Sequence, residues 1–150
     1  MQIYVDADAC PVKDEVLRVA ERHGIDAHMV ANSFMRLPDS PLVKRVVVGD
    51  KFDEADDWIA ERCTADDIVV TGDIPLASRC LKAGATVIGH TGKPFNEASI
   101  GMALAMRELM TDLRAMGEVR GGNAAFSKQD RSRFLQAMET AVQGIKRRGV

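Results

Sequence analysis

Two short stretches decide the fold: residues 3–8, IYVDAD, and residues 68–73, IVVTGD. In each stretch an apolar run rich in β-branched residues leads directly to an aspartate. Strands that are apolar at successive positions, without alternation between polar and apolar residues, are typical of a parallel sheet that is covered on both faces. The sequence therefore predicts a buried parallel sheet whose strands end in acidic residues.

The rest of the chain continues this pattern, because short apolar runs alternate with segments of helical periodicity. The predicted strands are residues 3–5, 27–31, 45–48, 68–71 and 86–88, and the predicted helices are about 11–23, 53–63, 76–83, 98–116 and 127–146. Strand and helix alternation predicts a three-layer αβα fold of class α/β, with a mostly parallel sheet of about five strands. We expect one domain over residues 1–150, in which 117–150 form a basic extension made of a glycine loop and a C-terminal helix.

Composition narrows the class of protein. The 150 residues are 46% hydrophobic and 28% charged, the balance of an ordinary soluble domain. No apolar run reaches the roughly 18–20 residues that span a bilayer, and the N-terminus lacks the basic region of a secretory signal. Cys10, Cys63 and Cys80 have no CxxC spacing, which argues against a disulfide framework or a zinc site. These features predict a cytoplasmic protein without a membrane partner.

Charge is unevenly distributed along the chain. Residues 1–100 carry 11 Lys and Arg against 17 Asp and Glu, whereas residues 101–150 carry 9 against 5. An acidic first part beside a basic tail is consistent with a metal site next to a phosphate-binding surface. Ordinary scatter of charge over a solvated helix is the alternative explanation.

Five aspartates lie at positions that usually bind ligands in an α/β fold. Asp6 and Asp8 follow the first predicted strand, Asp73 follows the fourth, and Asp53 and Asp56 lie three apart near the start of the helix after the third. Ligands of open parallel sheets bind at the carboxyl ends of the strands. We therefore expect all five carboxylates to meet at one edge of the sheet.

Gathered carboxylates repel one another and raise each other's pKa unless a cation neutralises them. Mg²⁺ and Mn²⁺ prefer oxygen ligands and keep several waters, so either ion suits the five aspartates. Asp6, Asp8 and Asp73 are the candidate catalytic residues, since they directly follow strands. Asp53 is equally well explained as a helix cap, and we expect Asp57, Asp66 and Asp67 to be solvated.

Candidate phosphate contacts lie mainly in the C-terminal part. The nucleic-acid-binding candidates are Arg107, Arg114, Lys128, Arg131 and Arg133. Either of the last two arginines could instead pair with a carboxylate and pin the final helix to the sheet. Residues 89–93, GHTGK, could also contact a phosphate, although they lack P-loop spacing.

Other functional signals are weaker. Cys10 precedes a helix and could be a nucleophile, but a small buried residue is the better interpretation, and the three histidines have no ligand spacing. Aromatic residues are few, with one Trp, one Tyr and five Phe, so a base-stacking platform is not evident.

The chain resembles the YaiI/YqxD family of uncharacterised bacterial proteins over nearly its whole length. The motifs that carry the resemblance are residues 5–11 (VDADACP), 52–56 (FDEAD), 71–77 (TGDIPLA), 121–122 (GG) and 127–134 (SKQDRSRF).

That family looks like a branch of the PIN-like nuclease fold. The resemblance implies a metal-dependent nuclease, with RNA as the expected partner. The PIN pattern places acids after strand one, on a middle helix and after strand four, which matches Asp6, then Asp53 or Asp56, then Asp73; Asp8 is an additional acid.

Two alternatives stay open. A phosphatase of the haloacid dehalogenase type would use Asp6-x-Asp8 as its nucleophile motif, but the late acidic pair of that class is missing. A non-catalytic RNA- or protein-binding module would keep the fold without turnover. Cleavage of RNA with Mn²⁺ would exclude the module, and a covalent phosphate on Asp6 would identify the phosphatase.

Overall fold

A computed structural model describes residues 1–8, 10–49, 53–102, 104–106 and 126–149. Its strands are β1 (Gln2–Asp6), β2 (Asp26–Ala31), β3 (Val43–Val47), β4 (Ile68–Val70) and β5 (Thr86–Ile88). Its helices are α1 (Lys13–His23), α2 (Glu54–Arg62), α3 (Ile74–Lys82), α4 (residues 97–102 and 104–106) and α5 (Lys128–Arg147).

The five strands form one sheet in the order β3-β2-β1-β4-β5, and every pairing between them is parallel. The predicted α/β class and parallel sheet are confirmed. The chain runs outward from β1 through β2 to β3, then crosses to the other side of β1 for β4 and β5. The carboxyl ends of β1 and β4 therefore flank the point where the strand order reverses, which is where open α/β sheets bind ligands.

Both faces of the sheet are covered, which makes the three layers. Ile3 and Val5 face one side and belong to a core shared with Phe134 of α5. Tyr4, between them in sequence, faces the opposite side and belongs to a core shared with Leu76 of α3. Because successive strand residues point to opposite faces, an apolar run such as residues 3–5 supplies both cores at once.

Helix α5 is fastened to α1 by polar contacts as well as by the core. The Arg131 guanidinium donates to the Pro11 carbonyl at 2.8 Å and to a Glu15 carboxylate oxygen at 3.0 Å. At the other end Glu139 accepts from Arg22 and pairs with the His23 ring. These contacts bring the start of α5 to the carboxyl edge of the sheet, beside the loop after β5.

Some sequence predictions of local structure need correction. α1 begins at Lys13 rather than at Pro11. α3 begins at Ile74, two residues earlier than predicted, because Asp73 caps it and Pro75 suits its first turn. Asp67 is buried rather than solvated, since its carboxylate accepts from the backbone N–H groups of Gln2 and Thr64.

The final helix is as predicted: Ser127 caps it and forms a capping box with Asp130. Residues 107–125, which hold the predicted glycine loop, lie outside the described residues. In the part of the chain that is described, no helix is long and apolar enough to cross a membrane.

Candidate carboxylate site at the sheet edge

Asp6 ends β1, and its side chain is half-buried at the reversal point of the sheet. One of its oxygens, Oδ2, accepts a hydrogen bond from the Thr71 hydroxyl at 3.1 Å. Burial raises the pKa of Asp6, and the charges of Asp73 and Asp8 raise it further, against the opposing effect of the Thr71 hydrogen bond. A carboxylate in this position is held close to other negative charges at an energetic cost.

Thr71 joins Asp6 to Asp73. It follows β4 and is fully buried, and while its hydroxyl donates to Asp6, the same oxygen accepts from the backbone N–H of Asp73 at 3.0 Å. Asp73 in turn caps α3, because its Oδ1 accepts from the Leu76 N–H at 2.9 Å. The sequence signal for this role of Thr71 was its place between an apolar strand and an aspartate, but only the hydrogen bonds reveal it.

Asp8 lies just beyond β1 and is exposed. Its Oδ2 accepts from the backbone N–H of Asn32 at 3.1 Å, which ties the end of β1 to the residue after β2. Its negative charge contributes to the raised pKa of Asp6, two residues earlier in the chain.

Asp56 on α2 completes the electrostatic group. Burial raises its pKa to about 6, with further contributions from the charges of Asp73, Asp6 and Asp53. Charges at the end of β1 and in the β4–α3 connection therefore contribute to the raised pKa of Asp56 on α2. Asp6 and Asp73 are linked through Thr71, and the meeting of all five aspartates at one edge stays a prediction.

Asp53 precedes α2 in the left-handed backbone region, with φ of 68°, and it makes no side-chain capping bond. Among the described residues it is the one non-glycine with positive φ. That conformation is unfavourable for a residue with a Cβ, although aspartate tolerates it better than most. The capping explanation for Asp53 does not fit this geometry, whereas strained residues often occur at functional sites.

The aspartates do not form a closed metal cage as arranged. Within the described ranges, no group of three or more His, Cys, Asp and Glu side chains is placed to hold a metal ion. Mg²⁺ is usually held by one or two carboxylates, with waters and substrate phosphates filling its other positions. The hard oxygen donors present, and the repulsion that already raises the pKa of Asp6 and Asp56, fit a cation of that kind.

The basic candidates separate into two groups. Arg131 is engaged with α1, as described above, and its guanidinium also lies over the Phe126 ring at 4.9 Å, which favours the structural explanation. Arg133 is 65% exposed and only loosely paired with Asp130, at 3.4 Å. Lys128 is exposed at the first position of α5. Arg107 and Arg114 lie outside the described residues.

Arg133 lines a groove of about 650 Å³ between α5 and the loop after β5. The groove presents the cations of Arg133 and Lys93 together with uncharged hydrogen-bonding groups, and it includes one acid, Asp130. Its lining residues are Thr91, Gly92, Lys93, Asp130, Ser132, Arg133, Gln136 and Ala137. Because the loop follows β5, this groove opens at the same sheet edge as the aspartates.

Gly92 allows the loop after β5 to pack closely against α5, and these two segments form the walls of the groove. Its φ is +88°, and a Cβ there would come within 2.6 Å of the Arg133 carbonyl carbon. Only glycine permits both the backbone conformation and this close approach.

Cys10 is buried, and burial raises the pKa of its thiol to about 11, which disfavours the thiolate that a nucleophile needs. The interpretation of Cys10 as a small buried residue is therefore the better one.

Comparison with known proteins gives one consistent result. A family model described as the uncharacterised YaiI/YqxD family matches residues 4–144. A UPF0178 protein of Parvibaculum lavamentivorans is 63% identical over 147 residues, covering 98% of this chain and 97% of the relative. UPF0178 proteins of Rhodopseudomonas palustris strain BisB5 and Bradyrhizobium diazoefficiens are 62% and 58% identical, covering 98% and 99% of this chain and 90% and 89% of the relatives.

Proposed function

This chain belongs to the YaiI/YqxD family of bacterial proteins, and we propose that it is a divalent-metal-dependent nuclease that hydrolyses RNA at its aspartate cluster. The observation that carries the proposal is the pairing of Asp6 with Asp73 through Thr71 at the reversal point of the sheet, where the charge of Asp73 contributes to the raised pKa of both Asp6 and Asp56. Carboxylates that repel one another lower the stability of a fold, and a bound cation would relieve that repulsion.

The donor chemistry favours Mg²⁺ or Mn²⁺. Asp6 and Asp73 would hold the ion, and Asp8 and Asp56 would bind its waters. When bound, such an ion lowers the pKa of a coordinated water and neutralises charge on a phosphodiester. Asp53 contributes charge at the start of α2.

Thr71 is the positioning residue of this site. Its hydroxyl fixes the Asp6 carboxylate, and its oxygen receives the Asp73 backbone N–H. Because Thr71 is fully buried, these two bonds are shielded from water and hold both aspartates in a defined relation. A site that must place two carboxylates around one ion depends on this kind of support.

RNA is the proposed substrate because the acidic site alone would repel a polyanion. The groove with Lys93 and Arg133 opens at the same edge and supplies two cations for phosphates that flank the cleavage point. Lys128 lies at the adjoining start of α5. The PIN-like resemblance of the family agrees with this arrangement.

The test is cleavage of labelled RNA with Mn²⁺ by wild type, Asp6→Asn and Asp73→Asn. We expect cleavage by wild type and a loss of at least about 100-fold in either variant, as is typical when a principal electrostatic contributor to catalysis is removed. Asp66→Asn is the matched control, since Asp66 is exposed in the loop before β4, at the opposite edge of the sheet.

Two outcomes would replace the proposal. RNA binding by wild type without cleavage under any divalent ion would indicate the non-catalytic module. The hydrogen bond from Thr71 to Asp6 also suits a phosphatase, so hydrolysis of a phosphomonoester with label trapped on Asp6 would indicate that class.

A further inference from the structure

We propose that Phe34, resting on Arg45, is a base-stacking site that selects single-stranded nucleic acid. This inference rests on the proposed function and names the form of its substrate. It also changes an expectation from the sequence, in which the few aromatic residues gave no evident stacking platform.

The Phe34 ring is exposed and is also supported by a neighbouring cation. Its side chain is 73% exposed, and the Arg45 guanidinium carbon lies 4.5 Å from the centre of its ring. Arg45 is itself held, because its Nε donates to the Met35 carbonyl at 3.0 Å. One face of the ring is therefore backed by a fixed cation, while the ring as a whole stays open to solvent.

The platform is close to the carboxylate site. Phe34 is two residues beyond Asn32, whose N–H binds Asp8. Two residues of extended chain span at most about 7 Å between Cα atoms. Phe34 therefore follows β2, the strand directly beside β1, on the side of the aspartates away from β4.

The groove with Lys93 and Arg133 lies on the other side of the aspartates, after β5. From β3, which carries Arg45, to β5 there are four strand intervals of about 4.8 Å, or about 19 Å across the sheet. A short stretch of a single strand laid along this edge would place a base on Phe34, a phosphate at the aspartates and a flanking phosphate at Lys93.

Stacking on Phe34 requires an unpaired base. In a duplex the faces of the bases are covered by their neighbours, whereas an unpaired base can lay one face on an aromatic ring. Such stacking tolerates any base, because every base has a π-face. The site is therefore expected to select single strands over duplexes with little preference for sequence.

The experiment measures equilibrium binding of a labelled single-stranded RNA and of the corresponding duplex, in EDTA and at low salt so that cleavage does not interfere. We expect Phe34→Ala to weaken single-strand binding by about 5- to 150-fold, the effect of losing one stacked base. Phe34→Trp should retain the affinity, and the affinity for duplex should not change. Val47→Ala is the matched control, since Val47 is 52% exposed on β3 at the same edge of the sheet.

Four results would overturn the inference. The first is wild-type affinity in Phe34→Ala, the second is an equal loss of affinity for single strand and duplex, and the third is no binding of RNA by wild type. The fourth is a change of molecular mass in solution for both Phe34→Ala and Val47→Ala, which would assign this edge to contact with a second copy of the chain. Phe34-dependent binding without Mn²⁺-dependent cleavage would refute the nuclease and leave the stacking site standing.

Discussion

Asp56→Asn is the most informative substitution, because it removes a repelling charge without removing the residues best placed to hold a metal. Raising a carboxyl pKa from 3.8 to about 6 corresponds to about 3 kcal/mol without screening. The Asp56 side chain is only partly buried, so solvent screening reduces this to about 1 kcal/mol. We therefore expect metal-free Asp56→Asn to melt about 2–4 °C above wild type near pH 7.

The pH dependence follows from the direction of the pKa. Because the folded state raises the pKa of Asp56, it binds the proton more tightly than the unfolded chain does. This group therefore lowers the free energy of unfolding as the pH rises from about 4 to about 6. The gain from Asp56→Asn should be complete above about pH 6 and absent below about pH 4.

The assay is thermal unfolding of wild type and Asp56→Asn near pH 7 and below about pH 4, in EDTA and with millimolar Mn²⁺. Ligands that bind only the folded state raise the melting temperature, so Mn²⁺ should stabilise wild type near pH 7. The rise should be smaller in Asp56→Asn, because less repulsion is left to relieve.

Asp57→Asn is the control on the same helix. Asp57 accepts from Arg79 at 2.7 Å in an exposed ion pair, so its loss should lower stability slightly, by no more than about 1 kcal/mol. A melting temperature of metal-free Asp56→Asn below that of wild type near pH 7 would refute the electrostatic argument. A wild type indifferent to Mn²⁺ would refute the metal site.

Four further substitutions test stability and binding. Arg131→Ala should destabilise the fold by about 2 kcal/mol, since it leaves the buried Glu15 carboxylate without its partner, yet keep the wild-type salt dependence of RNA binding. Arg133→Ala should leave the melting temperature unchanged and lower by about one the slope of the logarithm of the RNA binding constant against the logarithm of salt concentration. If Arg133→Ala instead lowers the melting temperature and Arg131→Ala lowers the slope, Arg133 is the structural arginine. Gly92→Ala should lower the melting temperature by at least about 5 °C, because the new Cβ meets the Arg133 carbonyl, and a normal melt would show that the loop moves freely. Asp53→Gly should stabilise the metal-free protein by about 1 kcal/mol through relief of its positive φ, measured by urea unfolding, and a loss of stability would mean that the Asp53 side chain holds the loop.

Local patterns in the sequence predict most of the secondary structure. The apolar run at residues 3–5 and the Ser127–Asp130 capping box depend on neighbours in the chain, and both are found as expected. Errors arose where a distant group decided the outcome. Asp67 looked like a surface residue, but it is buried because the N–H of Gln2, 65 residues away in sequence, donates to it.

The residues of the candidate site also fall into those that the sequence predicts and those that only the structure identifies. The ends of apolar strands were enough to single out Asp6 and Asp73, since parallel strands bring their carboxyl ends to one edge. The arginines could not be told apart by sequence, because pairing of Arg131 with Glu15 depends on how α5 packs on α1. Phe34 carried no signal at all until Arg45 was found against its ring.

By itself, the sequence determined the α/β class, the succession of strands and helices and the aspartates at the strand ends. Hydrophobic periodicity and capping are local properties that act within a few residues. Only the tertiary structure decided that β1 lies beside β4, that the pKa of Asp56 rises to about 6, and that Arg131 rather than Arg133 pairs with Glu15 of α1. Strand order and charge interactions depend on distances through space, and those distances exist only once the chain has folded.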